Sequence, residues 1–474
     1  MRTHLLFVFF LVIALLAGFL ISQHPPSILI WATLAFAVFV VSFVNIEWGL
    51  YILIFSMLLS PEISIGETAG ASLGRGVTLR AEDFLLIVIG FSWFAKNAVN
   101  KEVGLFLKTP LNKAIFFYIL TCLVSTGFGV MAGRVDAKTG SLYVLKYIEY
   151  FIVYFMVVNH LKSTDQIKRF VFCLLLTCFI TGIMGILQIP GGERVSAPFE
   201  GEIGEPNTFG GYLLFLGAIT AGLLLKAQNG RSKQLFIFLI LAIVPSLLFT
   251  QSRASYLGLI VACFVIGMLT RHRIIITSFL ASALLLSPLF LPQEVKERIL
   301  FTFTQPEEAG QVRIGEIRLD TSTSARIDSL KQIMKDWPKK PIIGYGVTGY
   351  VFLDSQYPKV LIETGIVGLI AFLYLLYSIF KLAVRRMKDA KTPYFKGLAI
   401  GFFAGYIGLL FHALGANTFI IVRIMEPFWF FAGIIAVLPA LERQHQEQPQ
   451  EDQSRFRRLA SAKTSLPVKP RLQS

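Results

Sequence analysis

The stretch Asp354–Leu369, DSQYPKVLIETGIVGL, closes a long polar segment and opens an apolar run. It sets Asp354, Lys359 and Glu363 at or just inside an apolar surface. Ionisable side chains are costly there unless they face a cavity or a partner. A carboxylate beside a low-dielectric wall can have a raised pKa and act as a base towards a hydroxyl. Asp354 is placed for that role. Glu363 lies about two turns further in and is also spaced to pair with Lys359 at i, i+4. Glu193, Glu200, Glu202, Glu205, Asp320 and Asp328 complete the acidic candidates.

Three arginines, Arg194, Arg253 and Arg326, stand beside apolar helix ends in segments far apart in sequence. A guanidinium suits bidentate contact with phosphate oxygens. Three converging at one membrane face would make a site for a diphosphate headgroup. The plainer reading of any one of them is an interfacial anchor whose stem snorkels. Arg253 resists that reading best, because its hairpin, Thr250-Gln251-Ser252-Arg253, has almost no residues to spare.

Those residues need a membrane scaffold, and composition supplies one. The chain is 55% hydrophobic and only 15% charged, whereas soluble chains carry about a quarter charged residues. Apolar runs long enough to cross a hydrocarbon core of roughly 30 Å recur along it. Backbone polarity forces such runs to be helices. We expect an all-α polytopic bundle of twelve to fourteen spans. The full set reads 5–22, 27–44, 48–61, 82–96, 114–131, 142–160, 170–189, 207–225, 234–250, 254–270, 274–291, 357–380, 397–415 and 419–439. The first lacks a small-residue cleavage site before His24-Pro25-Pro26 and reads as an anchor, not a secretory signal. The organisation expected is N-terminal spans over 1–189, a functional membrane domain over 190–440 with a long loop at 292–356, and a basic disordered tail over 441–474.

The net charge of +15 might suggest nucleic acid, but its distribution does not. Lysine and arginine crowd the segments on one side: 96–113, 161–169, 226–233, 271–273, 381–396 and the tail. The short loops opposite hold Arg75, Arg80, Arg134, Lys138, Arg194, Arg253 and Arg423. This positive-inside bias places both termini in the cytoplasm, and the tail near anionic lipid. It sends 190–206, the 250–253 hairpin and 292–356 to the outer face. Within the long loop, 324–337 (SARIDSLKQIMKDW) reads as an amphipathic helix with Ile327, Leu330, Ile333, Met334 and Trp337 on one face. Thr323 or Ser324 would cap it and Pro338 ends it. Such a helix suits a lid or shelf on the membrane surface. Gly344-Tyr345-Gly346 then turns the chain back, without the Lys and Ser/Thr of a nucleotide loop. Cys122, Cys173, Cys178 and Cys263 fall inside spans without metal spacing. Of the histidines, His412 alone stands out, because it lies inside a span.

Four pieces, in order, resemble the O-antigen ligase and Wzy-type polysaccharide polymerase superfamily of membrane glycosyltransferases. Arg194–Leu213, RVSAPFEGEIGEPNTFGGYL, is similar to the family's arginine followed by a Pro-Asn pair opening a span, which brings in Asn207. Thr250–Leu259, TQSRASYLGL, is similar to its Ser-Arg hairpin. Ser324–Tyr350 resembles its arginine-bearing loop helix and Gly-x-Gly turn, and Asp354–Leu369 its closing motif. The resemblance implies an inner-membrane, multi-pass enzyme that uses an undecaprenyl-diphosphate-linked glycan, with no metal and no cofactor. Arg253 and Asp354 would be catalytic; Arg194, Arg326, Glu363 and Asn207 would bind substrate. Ligases open the closing motif with His-Asn, where this chain has Asp354-Ser355. That departure favours a polymerase of O-antigen or exopolysaccharide, with a chain-length regulator as a possible partner, over a ligase acting on lipid A-core. The rival from another class is a transporter or flippase of a lipid-linked or anionic solute. It would place charges and broken helices near the midplane, and the spans read as poor in charge.

Overall fold

The computed structural model describes residues 26–63, 79–100, 107–199, 204–308, 310–314, 317–351 and 353–464. The expected first span, Glu200, Glu202 and Arg75 lie outside them. The described chain is helical, with two antiparallel ladders of two-residue strands: β1 (Glu62–Ile63) on β2 (Leu79–Arg80), and β3 (Arg313–Ile314) on β4 (Ile317–Arg318).

Every expected span from 27–44 onward falls on a helix. They are α1 (Pro26–Val44), α2 (Ile46–Leu59), α3 (Ala81–Asn100), α4 (Asn112–Met131), α5 (Ala137–His160), α6 (Thr164–Gln188), α7 (Pro206–Lys226), α8 (Gly230–Phe249), α9 (Arg253–Met268) and α10 (Arg273–Phe290). Two short helices of the long loop come next, α11 (Gln293–Thr304) and α12 (Thr321–Asp336). Then come α13 (Gln356–Asp389), α14 (Pro393–His412) and α15 (Val422–Thr464). Among the described residues nine helices are long and apolar enough to cross a membrane. Polar caps mark several starts. Asn45, Asp136, Ser163 and Ser252 accept from backbone amides of α2, α5, α6 and α9, satisfying donors that lipid would leave orphaned.

The centre of the bundle is α14 between α7 and α9. Close approach is possible because glycines meet: a methyl group on Gly222 would stand 2.4 Å from the Gly397 carbonyl, and one on Gly258 2.7 Å from that of Gly408. With no hydrophobic drive between helices in lipid, small residues are what let backbones pack. Beside this seam, Trp429 of α15 sits among Tyr150, Phe151 and Tyr154 of α5, with ring centroids 4.7–6.4 Å away. The cysteines are free packing residues, as expected. By contrast α10 has no buried residue and forms the rim.

The structure departs from the sequence reading in three places. The span at 357–380 is a broken helix, because Gly365 has φ 68° and ψ −169°. The 341–346 segment satisfies the break: Tyr345 and Gly346 amides donate to the Ile362 and Glu363 carbonyls, and Ile366 donates to Pro341. The loop helix begins at Thr321 and not 324. Asp320, not Thr323 or Ser324, caps it by accepting from Thr323 N; Ser324 instead accepts from Val312 N. Finally, α15 runs to Thr464 where a disordered arm was expected from 441. The run beyond the membrane is rich in Glu, Gln, Arg and Ala, which favour helix.

Gly365→Ala tests the break directly. A methyl group there would lie 2.2 Å from the Ile342 carbonyl, on top of backbone strain of about 1–3 kcal/mol. We expect a clearly lower unfolding midpoint in detergent. Gly127→Ala, with nothing within 4 Å, should leave it unchanged or raise it.

Candidate active site at one end of the bundle

The 189–199 segment, the α8–α9 hairpin, the described parts of the long loop and the 413–421 connection meet at one end of the bundle. Arg194 donates through Nε to the Thr250 carbonyl at 3.0 Å and through Nη2 to that of Gln251 at 3.3 Å. Gln251 takes φ 51°, which turns the hairpin in so few residues. Ser252 caps α9 and donates to Asn207 Oδ1 at 2.7 Å, tying the starts of α7 and α9 together.

Arg253 reaches from the first residue of α9 into the long loop. Its Nη1 donates to Thr302 Oγ1 at 2.5 Å, and its Nη2 meets Asp320 Oδ2 at 2.6 Å. Asp320 is buried, caps α12 and is drawn close by its own amide bond to the Thr302 carbonyl. Burial raises the Asp320 pKa, but hydrogen bonds from Arg253 and Thr323 outweigh it and hold the carboxyl below its ordinary value. On α12, Arg326 meets Asp354 Oδ2 at 2.9 Å. Asp354 is held in place by the next two residues of the chain: Ser355 Oγ donates to the Leu414 carbonyl and Gln356 N to that of Ala413.

These pairs lie close enough to act on one another. Burial, reinforced by the neighbouring Arg298 and Arg253 guanidiniums, pushes Arg194 down to about 10. Arg298 is lowered by burial and then by Arg253 and Arg326. Four guanidiniums thus gather here against two carboxylates, of which Arg253 meets Asp320 and Arg326 meets Asp354. The end of the bundle therefore carries a local positive field suited to a polyanion.

Arg194, Arg253, Arg326, Asp354 and Asn207 thus meet at one end. Glu363 does not join the arginines. It is buried, stands 3.7 Å from Lys359 and accepts from Thr348 N at 3.1 Å, pinning the turn against the broken helix. Glu205 accepts from Thr208 at the start of α7, and Asp328 pairs with Lys331 on the surface. His412 is buried against Thr418. The face expected on the loop helix is divided. Ile333 is buried in a small cluster with Leu353 and Ile362, whereas Leu330 and Met334 are exposed.

The sequence reading missed two things. Arg298 lies in a loop too long for charge counting to flag. The spans are also not poor in charge: Arg80, Glu82, Asp83, Lys146, Glu149, Arg423 and Glu426 gather among α3, α5 and α15. Lys146 stands 3.6 Å from Asp83 and Arg80 3.6 Å from Glu82. Arg423, expected in a loop, is fully buried and donates to the carbonyls of Pro198 and Ser60. It thereby anchors the segment that presents Arg194. Two hollows, of about 400 and 760 Å³, open at the opposite end beside Lys226 and Arg169. Neither touches the arginine group, so the charges and not the hollows locate the site.

Fold and site together define a multi-pass, all-helical membrane protein with a guanidinium-rich cluster at one end. The family comparison agrees. Residues 236–373 match the O-antigen ligase family model, a likeness that covers that part of the membrane bundle and the long loop. The match contains Arg253, Arg298, Asp320, Arg326 and Asp354; Arg194 and Asn207 lie upstream of it. No curated protein matches the chain.

Proposed function

We propose that the protein joins glycan repeat units carried on a polyprenyl diphosphate, at the periplasmic face of the bacterial inner membrane. The observation that carries this reading is the gathering of Arg194, Arg253, Arg298 and Arg326 at one end of the bundle, with Arg253 paired to Asp320 and Arg326 to Asp354. The positive-inside bias of the loops supports the orientation.

In this reaction Asp354 takes the proton of the acceptor hydroxyl, and the hydroxyl oxygen attacks the anomeric carbon of the donor sugar. The bond from that carbon to the diphosphate oxygen breaks, and the prenyl diphosphate departs with the electron pair. Arg194, Arg253 and Arg326 stabilise the charge that develops on it. Arg326 pairs with Asp354 at 2.9 Å. A bound diphosphate competes for Arg326 and releases the carboxylate to act as a base. Asp354, in the slot that ligases fill with histidine, supports polymerisation, in which the acceptor is a second lipid-linked glycan.

The test is transfer by the purified protein in proteoliposomes loaded with an undecaprenyl-diphosphate-linked oligosaccharide. A ladder of lengthened lipid-linked products is the expected result. Product formed only when lipid A-core is added would establish the ligase alternative. No product with either acceptor, alongside movement of the intact donor between leaflets, would establish transport instead.

A further inference from the structure

Arg298 stands apart from the other arginines of the site. Arg194 donates to two carbonyls, Arg253 to a hydroxyl and a carboxylate, and Arg326 to a carboxylate. Among the described residues the Arg298 guanidinium donates no hydrogen bond and forms no ion pair. Its Nε is buried without a partner, and its guanidinium carbon lies 5.8 Å from the centroid of the Phe301 ring. Its position is set by α11. Residues 298 and 302 are i, i+4 neighbours on one helix face, and Thr302 is where Arg253 Nη1 arrives. Arg298 therefore flanks Arg253 one turn away. The apolar residues Ile299, Leu300 and Phe303 of the same helix are exposed. An interfacial anchor would send its head to water. The Arg298 Nε is instead shielded from solvent, one helical turn from the Thr302 hydroxyl that Arg253 reaches.

A half-buried cation crowded by other cations is unfavourable until an anion completes it. We propose that Arg298 is a further binding residue of the site, the guanidinium free to receive a diphosphate while the other three are still paired. None of its donors is engaged by the protein among the described residues, and its planar fork matches two oxygens of one phosphoryl group. The assignment rests on the reading of the cluster as a diphosphate site. It goes beyond that reading in naming the residue that makes the first contact.

The test uses the full-length protein in nanodiscs of zwitterionic lipid. Geranylgeranyl diphosphate, geranylgeranyl monophosphate and inorganic pyrophosphate are titrated against wild type, Arg298→Gln, Arg298→Lys and Arg194→Ala, with Glu297→Gln as a neighbouring control. We expect Arg298→Gln to weaken diphosphate binding by about 10–100-fold, the scale of losing charge-assisted hydrogen bonds, and to weaken monophosphate less. Loss on the prenyl diphosphate alone identifies a lipid headgroup; equal loss on pyrophosphate identifies the free anion as sufficient. Wild-type affinity in Arg298→Gln, together with weakened binding in Arg194→Ala, would overturn the Arg298 assignment and leave the site reading intact. No saturable binding by wild type would overturn both. If Arg298→Gln does not purify as a single species, Arg298→Lys decides: weakened diphosphate binding supports the assignment, and wild-type affinity rejects it.

Discussion

Arg253→Ala should abolish most glycan transfer, and Arg253→Lys should do nearly as much damage. The guanidinium works in two directions at once. Nη1 holds Thr302 and Nη2 holds Asp320, and this joins the α8–α9 hairpin to both helices of the long loop. A lysine is a point charge and cannot keep both bonds while facing a phosphate. Removing one preorganised charge stabiliser costs about 10²–10³ in rate. The structural cost adds to this. Asp320 would be left buried without its cation, and breaking a buried pair costs about 3–5 kcal/mol. The lower end applies, because the Arg253 side chain is 22% exposed. Asp320→Asn separates the two effects. In the Arg253→Ala background it removes the stranded charge, so protein levels should recover while transfer does not. The pairing carries a pH signature of definite sign. Asp320 is held below its ordinary pKa, so its stabilisation is full above that ordinary value and fades as pH falls through the folded-state one. Transfer assays at neutral pH therefore report on chemistry. Normal polymer from Arg253→Lys would return Arg253 to the role of an interfacial anchor.

Asp354→Asn should cut transfer by about 10²-fold or more, the usual scale for losing a general base, while leaving donor binding intact. Asparagine keeps the size of the side chain and an oxygen for Arg326, so the 2.9 Å contact of the wild type has a neutral replacement. Basicity alone is removed. The tethers on the next two residues, Ser355 to Leu414 and Gln356 to Ala413, do not involve the carboxylate, so the loop should hold its shape. Single-turnover transfer from a lipid-linked donor, with donor affinity measured separately, gives the two readouts. Near-normal chain growth would remove Asp354 from the mechanism. Asp354→His should not restore ligase activity by itself, because Ser355 and the acceptor surface would also have to match.

Much of this protein is legible without its structure. The spans come from apolar run length, because a chain in lipid must satisfy its backbone within each segment. Arg194, Arg253 and Arg326 are legible because an arginine at a short loop opposes the prevailing charge bias or ends a helix. Glu363 is open to two roles on sequence alone, and i, i+4 spacing already names the partner, Lys359, that it takes.

Sequence by itself determined the class: an all-helical membrane chain whose polar segments gather on one side. Its local rules, period, run length and charge bias, act over a few turns of helix. Which arginine meets which carboxylate was decided only by tertiary structure. Arg253 and Asp320 are 67 residues apart, and Arg326 and Asp354 are 28 apart. Nothing in helix periodicity couples them; they meet because the long loop folds back over the hairpin. The break at Gly365 is hidden for a similar reason. A glycine in an apolar run is compatible with an unbroken span, and it becomes a kink only when Pro341–Gly346 supplies partners for the freed amides and carbonyls. The buried charges of α3, α5 and α15 escape a sequence reading because each alone resembles a span edge. Burial of Arg423 is favourable only once the fold brings the carbonyls of Pro198 and Ser60 to its guanidinium. Arg298 is invisible in the sequence because its distinction is a contact it does not make, and only a folded structure shows which partners are missing.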